Sequence, residues 1–358
     1  MTGVTGAAGD DTLLERIRAE IRERGPMRFD RFMELALYGP DGYYERPPVG
    51  LAGDFVTSPH VHPWFAYGLA LAFGELHELL GSPSPATLVE VGAGEGKLAR
   101  QLLEILNPGA TLDYVAVERS AGARAALEGA GVRACAYVED VGDLRDTVVI
   151  ANELLDNLPF RRLRRSDGEV VEVRVGLDVD RLVEVEAAVD APPATGEHAE
   201  VVVPTGALAF VDALAARMRN AYALLIDYSA ERGRDVHGYR AQRIVEDVVA
   251  SAGATDVTAG VDFDAVEARA RAAGLDVLGR VSQRDALLAL GFDGWTRRDR
   301  DARSGSDAAA TRAWAARNRA SLLLAPDGLG AHRWLLLATP GLPVPRWLRR
   351  ALAPPSPD

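Results

Sequence analysis

The chain has 358 residues, 48% hydrophobic and 26% charged, enough for one large α/β domain with additions or for two domains. Its formal net charge of −12 argues against nucleic acid as a partner, because phosphate binding is dominated by basic surface. A lone cysteine, Cys135, excludes an internal disulfide and a cysteine-clustered metal site; no run reaches the ~18 apolar residues of a membrane span, and MTGVTGAAGDD lacks the regions of a signal peptide, so a cytoplasmic chain without a membrane partner is expected.

In chain order, Thr12–Arg24 and Phe29–Leu37 have the spacing of amphipathic helices, the second ended by Tyr38-Gly39-Pro40. The Gly-, Pro- and aromatic-rich stretch from Asp41 to Trp64 is too long for a linker, and such loops usually carry function. Trp64–Leu80 predicts a long apolar helix closed by Gly81-Ser82-Pro83-Ser84-Pro85. An alternation follows: strand Thr87–Val91, helix Lys97–Leu106, strand Asp113–Glu118, helix Ala121–Gly129, and strands Val132–Ala136 and Thr147–Ala151. Phe160–Val189 breaks that rhythm with antiparallel hairpins turning at Ser166-Asp167-Gly168 and Leu177-Asp178. Helix Gly206–Asn220, strand Ala221–Asp227, helix Asp264–Ala273, strand Leu275–Val281, helices Arg284–Leu290 and Ala308–Leu324, and strand Arg333–Ala338 complete the pattern. We divide the chain into an N-terminal helical lid region (1–85), a core (86–340) with an insertion at about 160–205, and a C-terminal tail (341–358) without clear period.

The stretch Leu88–Gln101, LVEVGAGEGKLARQ, carries most information: an apolar strand ending in an acid, a glycine turn, then a helix. Glu90, Gly92, Gly94 and Gly96 form E-x-G-x-G-x-G, whose glycines let the backbone turn sharply and meet a ligand without a Cβ in the way. A P-loop fails at Val91 and Leu98, and a dinucleotide fingerprint is met only in its looser form, from Gly94 to Ala99. S-adenosylmethionine has an ammonium, a sulfonium and a carboxylate but no phosphate, and an acidic strand end beside a glycine turn suits it best. Ala93 belongs to the same turn.

Further acids stand where other strands end. Glu118 follows the glycine turn at the distance expected of a carboxylate that accepts from two ribose hydroxyls, or else it caps the next helix. Glu139 and Asp140 follow the third strand, where Asp140 is a candidate partner for the adenine amino group. The fourth strand runs into Asn152-Glu153-Leu154-Leu155-Asp156, and Glu153 and Asp156 would share a face were this segment helical. Two carboxylates beside a methyl donor suit a planar cationic nitrogen group and can draw off its charge as one nitrogen attacks. In the other reading, Asn152 and Asp156 merely stabilise the turn.

The pieces GDFVTSPHV (Gly53–Val61), LVEVGAGEGKLA (Leu88–Ala99), ANELLDNLP (Ala151–Pro159), LLIDYS (Leu224–Ser229) and DVTAGVDF (Asp256–Phe263) occur in the order and spacing of the MidA family, which the chain resembles from about residue 12 to 338. These are S-adenosylmethionine-dependent methyltransferases whose mitochondrial members methylate an arginine of a respiratory complex I subunit. The resemblance implies an α/β fold with a class I methyltransferase, Rossmann-like sheet, an N-terminal helical lid and inserted antiparallel hairpins. It further implies that Glu90, Gly92 and Gly94 line the cofactor site, Glu118 holds the ribose, Thr57 and Ser58 approach from the lid, and Asn152, Glu153 and Asp156 face the acceptor. The chain departs from the family's usual residues at His60, Ser229, Gln242 and Gly260, most of them in the acceptor half.

His60, where the family carries Glu, is a candidate catalytic base; with His62 it lacks a third ligand at metal spacing, so no metal is expected. A protein acceptor is the expectation. A small-molecule acceptor would instead favour a closed apolar pocket near Phe55, Trp64 and Tyr228, and a non-catalytic cofactor-binding assembly factor is the rival from another class. A homodimer is an open alternative.

Overall fold

The computed structural model describes residues 8–45, 57–106, 111–189, 200–230, 236–240, 243–295, 315–316 and 318–353. Gly53–Val56, Gln242 and residues 308–314 and 317 of the expected helix Ala308–Leu324 lie outside the described residues. The elements in order are α1 (Ala8–Arg24), β1 (Met27–Arg28), α2 (Phe29–Tyr38), α3 (Ser58–Val61), α4 (Trp64–Leu79), β2 (Ala86–Val91), α5 (Lys97–Leu106), β3 (Leu112–Val117), α6 (Ala121–Gly129), β4 (Arg133–Cys135), β5 (Leu144–Arg145) and β6 (Thr147–Asn152). They continue with β7 (Arg161–Ser166), β8 (Glu169–Asp178), β9 (Arg181–Ala188), β10 (Glu200–Val203), α7 (Thr205–Arg217), β11 (Met218–Arg219), β12 (Tyr222–Asp227), β13 (Gly238–Arg240), β14 (Arg243–Val245), α8 (Phe263–Ala272), β15 (Asp276–Ser282), α9 (Gln283–Ala289), β16 (Arg333–Ala338) and a C-terminal helix, Arg346–Leu352.

Apolar runs such as TVVIAN in β6 and YALLID in β12 are buried on both faces, as central parallel strands require. The main sheet has the order β15-β16-β12-β6-β2-β3-β4, parallel from β12 through β6, β2 and β3 to β4, with β16 antiparallel to both neighbours. Chain order reverses between β2 and β6, so the glycine turn after β2 and the acidic turn after β6 emerge side by side at one edge, the place where open α/β sheets bind ligands. Below one face lie α4, α5 and the C-terminal helix; against the other pack α7 and α8.

The expected hairpins form a five-stranded sheet of β7, β8, β9, β10 and β1, in which Met27 pairs with Val175. Asp167 and Gly168 hold φ of 48° and 87°, the left-handed pair of a two-residue hairpin turn. Helices α1 and α2 share a core with this sheet through Ile17, Phe29, Phe32 and Phe160. Of the stretch 1–85 expected as a lid, α1, β1 and α2 join the insertion, whereas α4 places Phe65, Leu69 and Phe73 in the core under the main sheet with Tyr222 and Trp334. The stretch 341–358, expected as a tail without period, contains the Arg346–Leu352 helix with Trp347 and Leu348 fully buried. A seven-residue helix with two apolar anchors is too short to show a period.

Candidate active site

The glycine turn is built as its sequence requires. Gly92, Gly94 and Gly96 have φ of 78°, 52° and 74°, conformations costly for other residues. The Gly92 N–H donates to Val117 O at 2.8 Å, tying the turn to β3. A Cβ on Gly94 would meet nothing within 4 Å, and Gly94 lines a cavity of about 640 Å³. Glu118 closes that cavity's next wall, its Oε2 accepting from Gly94 N at 2.8 Å and its Oε1 from Ser120 N at 2.9 Å. Glu90 lies beneath, bonded by the Tyr114 hydroxyl; burial pushes its carboxyl up to about 7.

Ala93, Asn152, Thr57, His60 and Glu153 line the same cavity. Asn152 Oδ1 is buried and without a hydrogen-bond partner. A turn open to a Cβ, an acid at each neighbouring strand end and an unsatisfied amide oxygen fit a nucleoside ligand bearing hydroxyl, amino and ammonium donors.

Three of the expected site residues are placed as follows. Asp140 does not line the cavity: its Oδ2 accepts from Tyr137 N at 2.9 Å as the cap of a short 3₁₀ turn, leaving Tyr137, Val138 and Glu139 as the wall. Ser58 is fully buried beneath Thr57, and its N–H donates to Glu153 Oε1 at 2.9 Å. His60 belongs to the glycine-turn cavity, with Nδ1 2.7 Å from Thr57 Oγ1 and Nε2 2.9 Å from Glu95 Oε1. Among the described residues no group of three metal-ligating side chains occurs.

A second cavity, about 650 Å³, is lined by Asp156, Tyr228, His237, Thr258 and His332, and Glu153 and Asn157 line both cavities. The segment after Asn152 is a turn, so the shared helical face open to Glu153 and Asp156 does not arise: Glu153 takes φ of 51° while its N–H donates to Ile226 O at 2.8 Å. Both carboxylates nevertheless reach the second cavity. Asp227, buried at the end of β12, shapes the turn: Oδ2 accepts from Leu155 N and Asp156 N at 2.7 and 3.2 Å, and Oδ1 from Tyr228 N at 2.8 Å.

The Tyr228 hydroxyl lies 2.7 Å from Thr258 Oγ1, which donates to Asp156 Oδ2 at 2.7 Å, and Asp156 Oδ1 is buried without a partner. Burial raises Glu153 to about 7, against the Ser58 N–H that favours its charged form. Burial likewise raises Asp156 to about 6, against the Thr258 hydrogen bond. Asp227 is also held up by burial and by the Asp156 charge.

The closed apolar pocket expected for a small molecule is not formed by the residues named for it. Trp64 packs edge-on against Phe292, 5.3 Å between centroids, and Tyr228 lines the second cavity beside Asp156 and Thr258; Phe55 lies outside the described residues. Sequence reasoning did not single out Asp227 or Thr258 as site residues, although both stand in the motifs LLIDYS and DVTAGVDF. It passed over His332 altogether, which no neighbouring motif marks. Among the described residues no helix is long and apolar enough to cross a membrane.

Comparison with known proteins agrees with this geometry. A family described as "Putative S-adenosyl-L-methionine-dependent methyltransferase" matches residues 68–281. The chain is 26% identical over 336 residues to the mitochondrial protein arginine methyltransferase NDUFAF7 of Xenopus tropicalis, covering 79% of this chain and 76% of that one. The Drosophila melanogaster homolog is 38% identical over 101 residues, 28% of this chain and 23% of that one. A crystal structure from Burkholderia thailandensis with bound S-adenosyl-homocysteine superposes with a TM-score of 0.82 at 26% identity, covering 98% of each chain. With the glycine turn, the acids at the strand ends and a family match over more than half its length, the chain belongs to the MidA-type family of S-adenosyl-L-methionine-dependent methyltransferases.

Proposed function

We propose that this methyltransferase N-methylates arginine in a protein acceptor, with the glycine-turn cavity as donor site and the second cavity as acceptor site. The observation that carries this reading is the placement of Glu153 between the two cavities, beside an Asp156 oxygen that has no partner. A planar guanidinium offers several N–H donors to such a carboxylate pair and stays charged at any working pH. The bound cofactor supplies a methyl group already activated by its sulfonium. Glu90, Glu118 and Asn152 hold and orient that cofactor, and Glu153 and Asp156 localise the acceptor's charge and take its proton. The vertebrate relatives, named protein arginine methyltransferases, support the acceptor class. Labelled S-adenosylmethionine added with the protein to a source-cell lysate should leave its label in methylarginine after acid hydrolysis. Label confined to small molecules, or to another amino acid, would overturn the reading.

Two further results are expected. Gly94→Val adds a branched side chain where only open cavity stands and should weaken S-adenosylmethionine binding at least about tenfold by titration calorimetry, because the added atoms occupy space the ligand would fill. Unchanged affinity would remove the turn from the donor site. Because Glu153 and Asp156 must be ionised to accept the proton and are held at about 7 and about 6, kcat/KM should fall as pH drops. The expected slope is about tenfold per unit below the first of these and steeper below the second. A flat profile between pH 5 and 8 would contradict the assignment.

A further inference from the structure

The acceptor cavity contains a buried polar atom that the methyl-transfer reading does not use. His332 is 8% exposed, it lines this cavity, and its Nδ1 is buried without a hydrogen-bond partner. Its position follows from topology. Strand β16 runs antiparallel to β12 with Arg333 opposite Asp227, so the residue before β16 falls at the edge where the parallel strands end. The main chain there is fixed on both sides: His332 N donates to Leu329 O at 3.0 Å, and Gln283 N donates to His332 O at 2.7 Å.

His332 lines the same cavity as Glu153 and Asp156. Its ring centroid is 6.3 Å from that of Tyr228, whose hydroxyl leads through Thr258 to Asp156. Two residues that line this cavity, Asp156 and His332, each carry a buried side-chain atom without a partner, Oδ1 and Nδ1. Burial pushes the imidazole down to about 4, so it is neutral at working pH and one ring nitrogen is a hydrogen-bond acceptor. An unsatisfied buried acceptor is costly unless a ligand donor meets it.

We propose that His332 is a specificity-determining residue of the acceptor site, its Nδ1 accepting an N–H of the same guanidinium that Glu153 and Asp156 bind, so that the cavity prefers a guanidinium to an ammonium group. The proposal rests on the arginine reading above. Five N–H donors spread in one plane can meet acceptors on several sides at once, whereas an ammonium is a compact point charge that two carboxylates already satisfy. A neutral third acceptor adds little for the ammonium.

The test uses the full chain saturated with S-adenosyl-homocysteine, with N-acetyl-arginine methylamide and N-acetyl-lysine methylamide as probes for calorimetry or NMR titration. The wild type should bind the arginine probe at least about tenfold more tightly than the lysine probe. His332→Leu and His332→Gln should each lose about tenfold or more of the arginine affinity and leave the lysine affinity unchanged. His332→Asn, whose side-chain oxygen can stand near the Nδ1 position, should retain most of it. Unaltered S-adenosyl-homocysteine affinity and melting temperature establish that the variants are folded, and His332→Gln serves should His332→Leu not fold. Equal or unmeasurable binding of the two probes by the wild type, or no loss in the variants, overturns the proposal. The lysate labelling separates it from the arginine reading: methylarginine formed equally by wild type and His332→Gln sinks only the role of His332, while label in a different residue sinks both.

Discussion

Glu153→Gln is expected to lower methyl transfer by roughly 10²- to 10⁴-fold, the range for loss of a positioned proton acceptor, with S-adenosylmethionine affinity nearly unchanged. The substitution is a narrow one. Glutamine keeps the size of the side chain and an oxygen for the Ser58 N–H, which now bonds Glu153 Oε1 at 2.9 Å, so the α3 segment stays seated. What disappears is the negative charge between the two cavities and the place for the acceptor's proton. Single-turnover rates with labelled cofactor, beside calorimetry of cofactor binding, separate the two effects. A rate within about threefold of wild type would mean that Asp156 alone suffices, or that the proton leaves by another route.

The same variant carries a stability prediction of opposite benefit. Burial holds the Glu153 carboxyl at about 7 against 4.5 for the free group, so between those values the folded chain binds a proton that the unfolded chain has released. Stability contributed by this site therefore falls as pH rises through that window, and above pH 7 the folded state retains the cost of a buried charge. Glu153→Gln should thus melt higher than wild type at pH 8 and show no such gain at pH 4. A lower melting temperature at pH 8 would show that the carboxylate is stabilised by more than the burial suggests.

Trp347→Ala is expected to cost about 3–5 kcal/mol, the range for removing a large aromatic from a core. Trp347 is fully buried, with its ring 5.9 Å from Trp334 at 77°, in the core that also holds α4 and the Phe65 side chain. Near it the Tyr222 hydroxyl donates to Pro343 O at 2.8 Å and Arg346 pairs with Glu75, so residues after β16 are bonded to the sheet and to α4. Urea unfolding followed by circular dichroism should show a lower midpoint at unchanged slope. An unchanged midpoint would return this helix to the status of a dispensable tail.

The donor half of the protein was readable because its signals are local. Strand, glycine turn and helix between Leu88 and Gln101 are contiguous, and the φ values of Gly92, Gly94 and Gly96 are demands that only glycine meets cheaply. The hairpin at Asp167-Gly168 was readable for the same reason. Elsewhere a side chain was taken up by a partner that the motif did not name, near in the chain or far from it. Asp140 was claimed by the turn it caps, and His60 by Thr57 and Glu95. The turn after β6 is shaped by its bonds to Ile226 and Asp227, residues distant in the chain.

The second cavity, proposed for the acceptor, has no such contiguous signature. Glu153 and Asp156 come from the turn after β6, Tyr228 from the end of β12, Thr258 from a loop and His332 from the start of an antiparallel strand. They meet because β12 lies between β6 and β16, one parallel and one antiparallel, which brings two strand ends and one strand beginning to a single edge. The amino-acid sequence alone thus determined the donor and the chemistry, through residues adjacent in the chain whose backbone demands are local. Which side chains line the second cavity was decided only by tertiary structure, because strand order and direction are set by packing across the whole sheet.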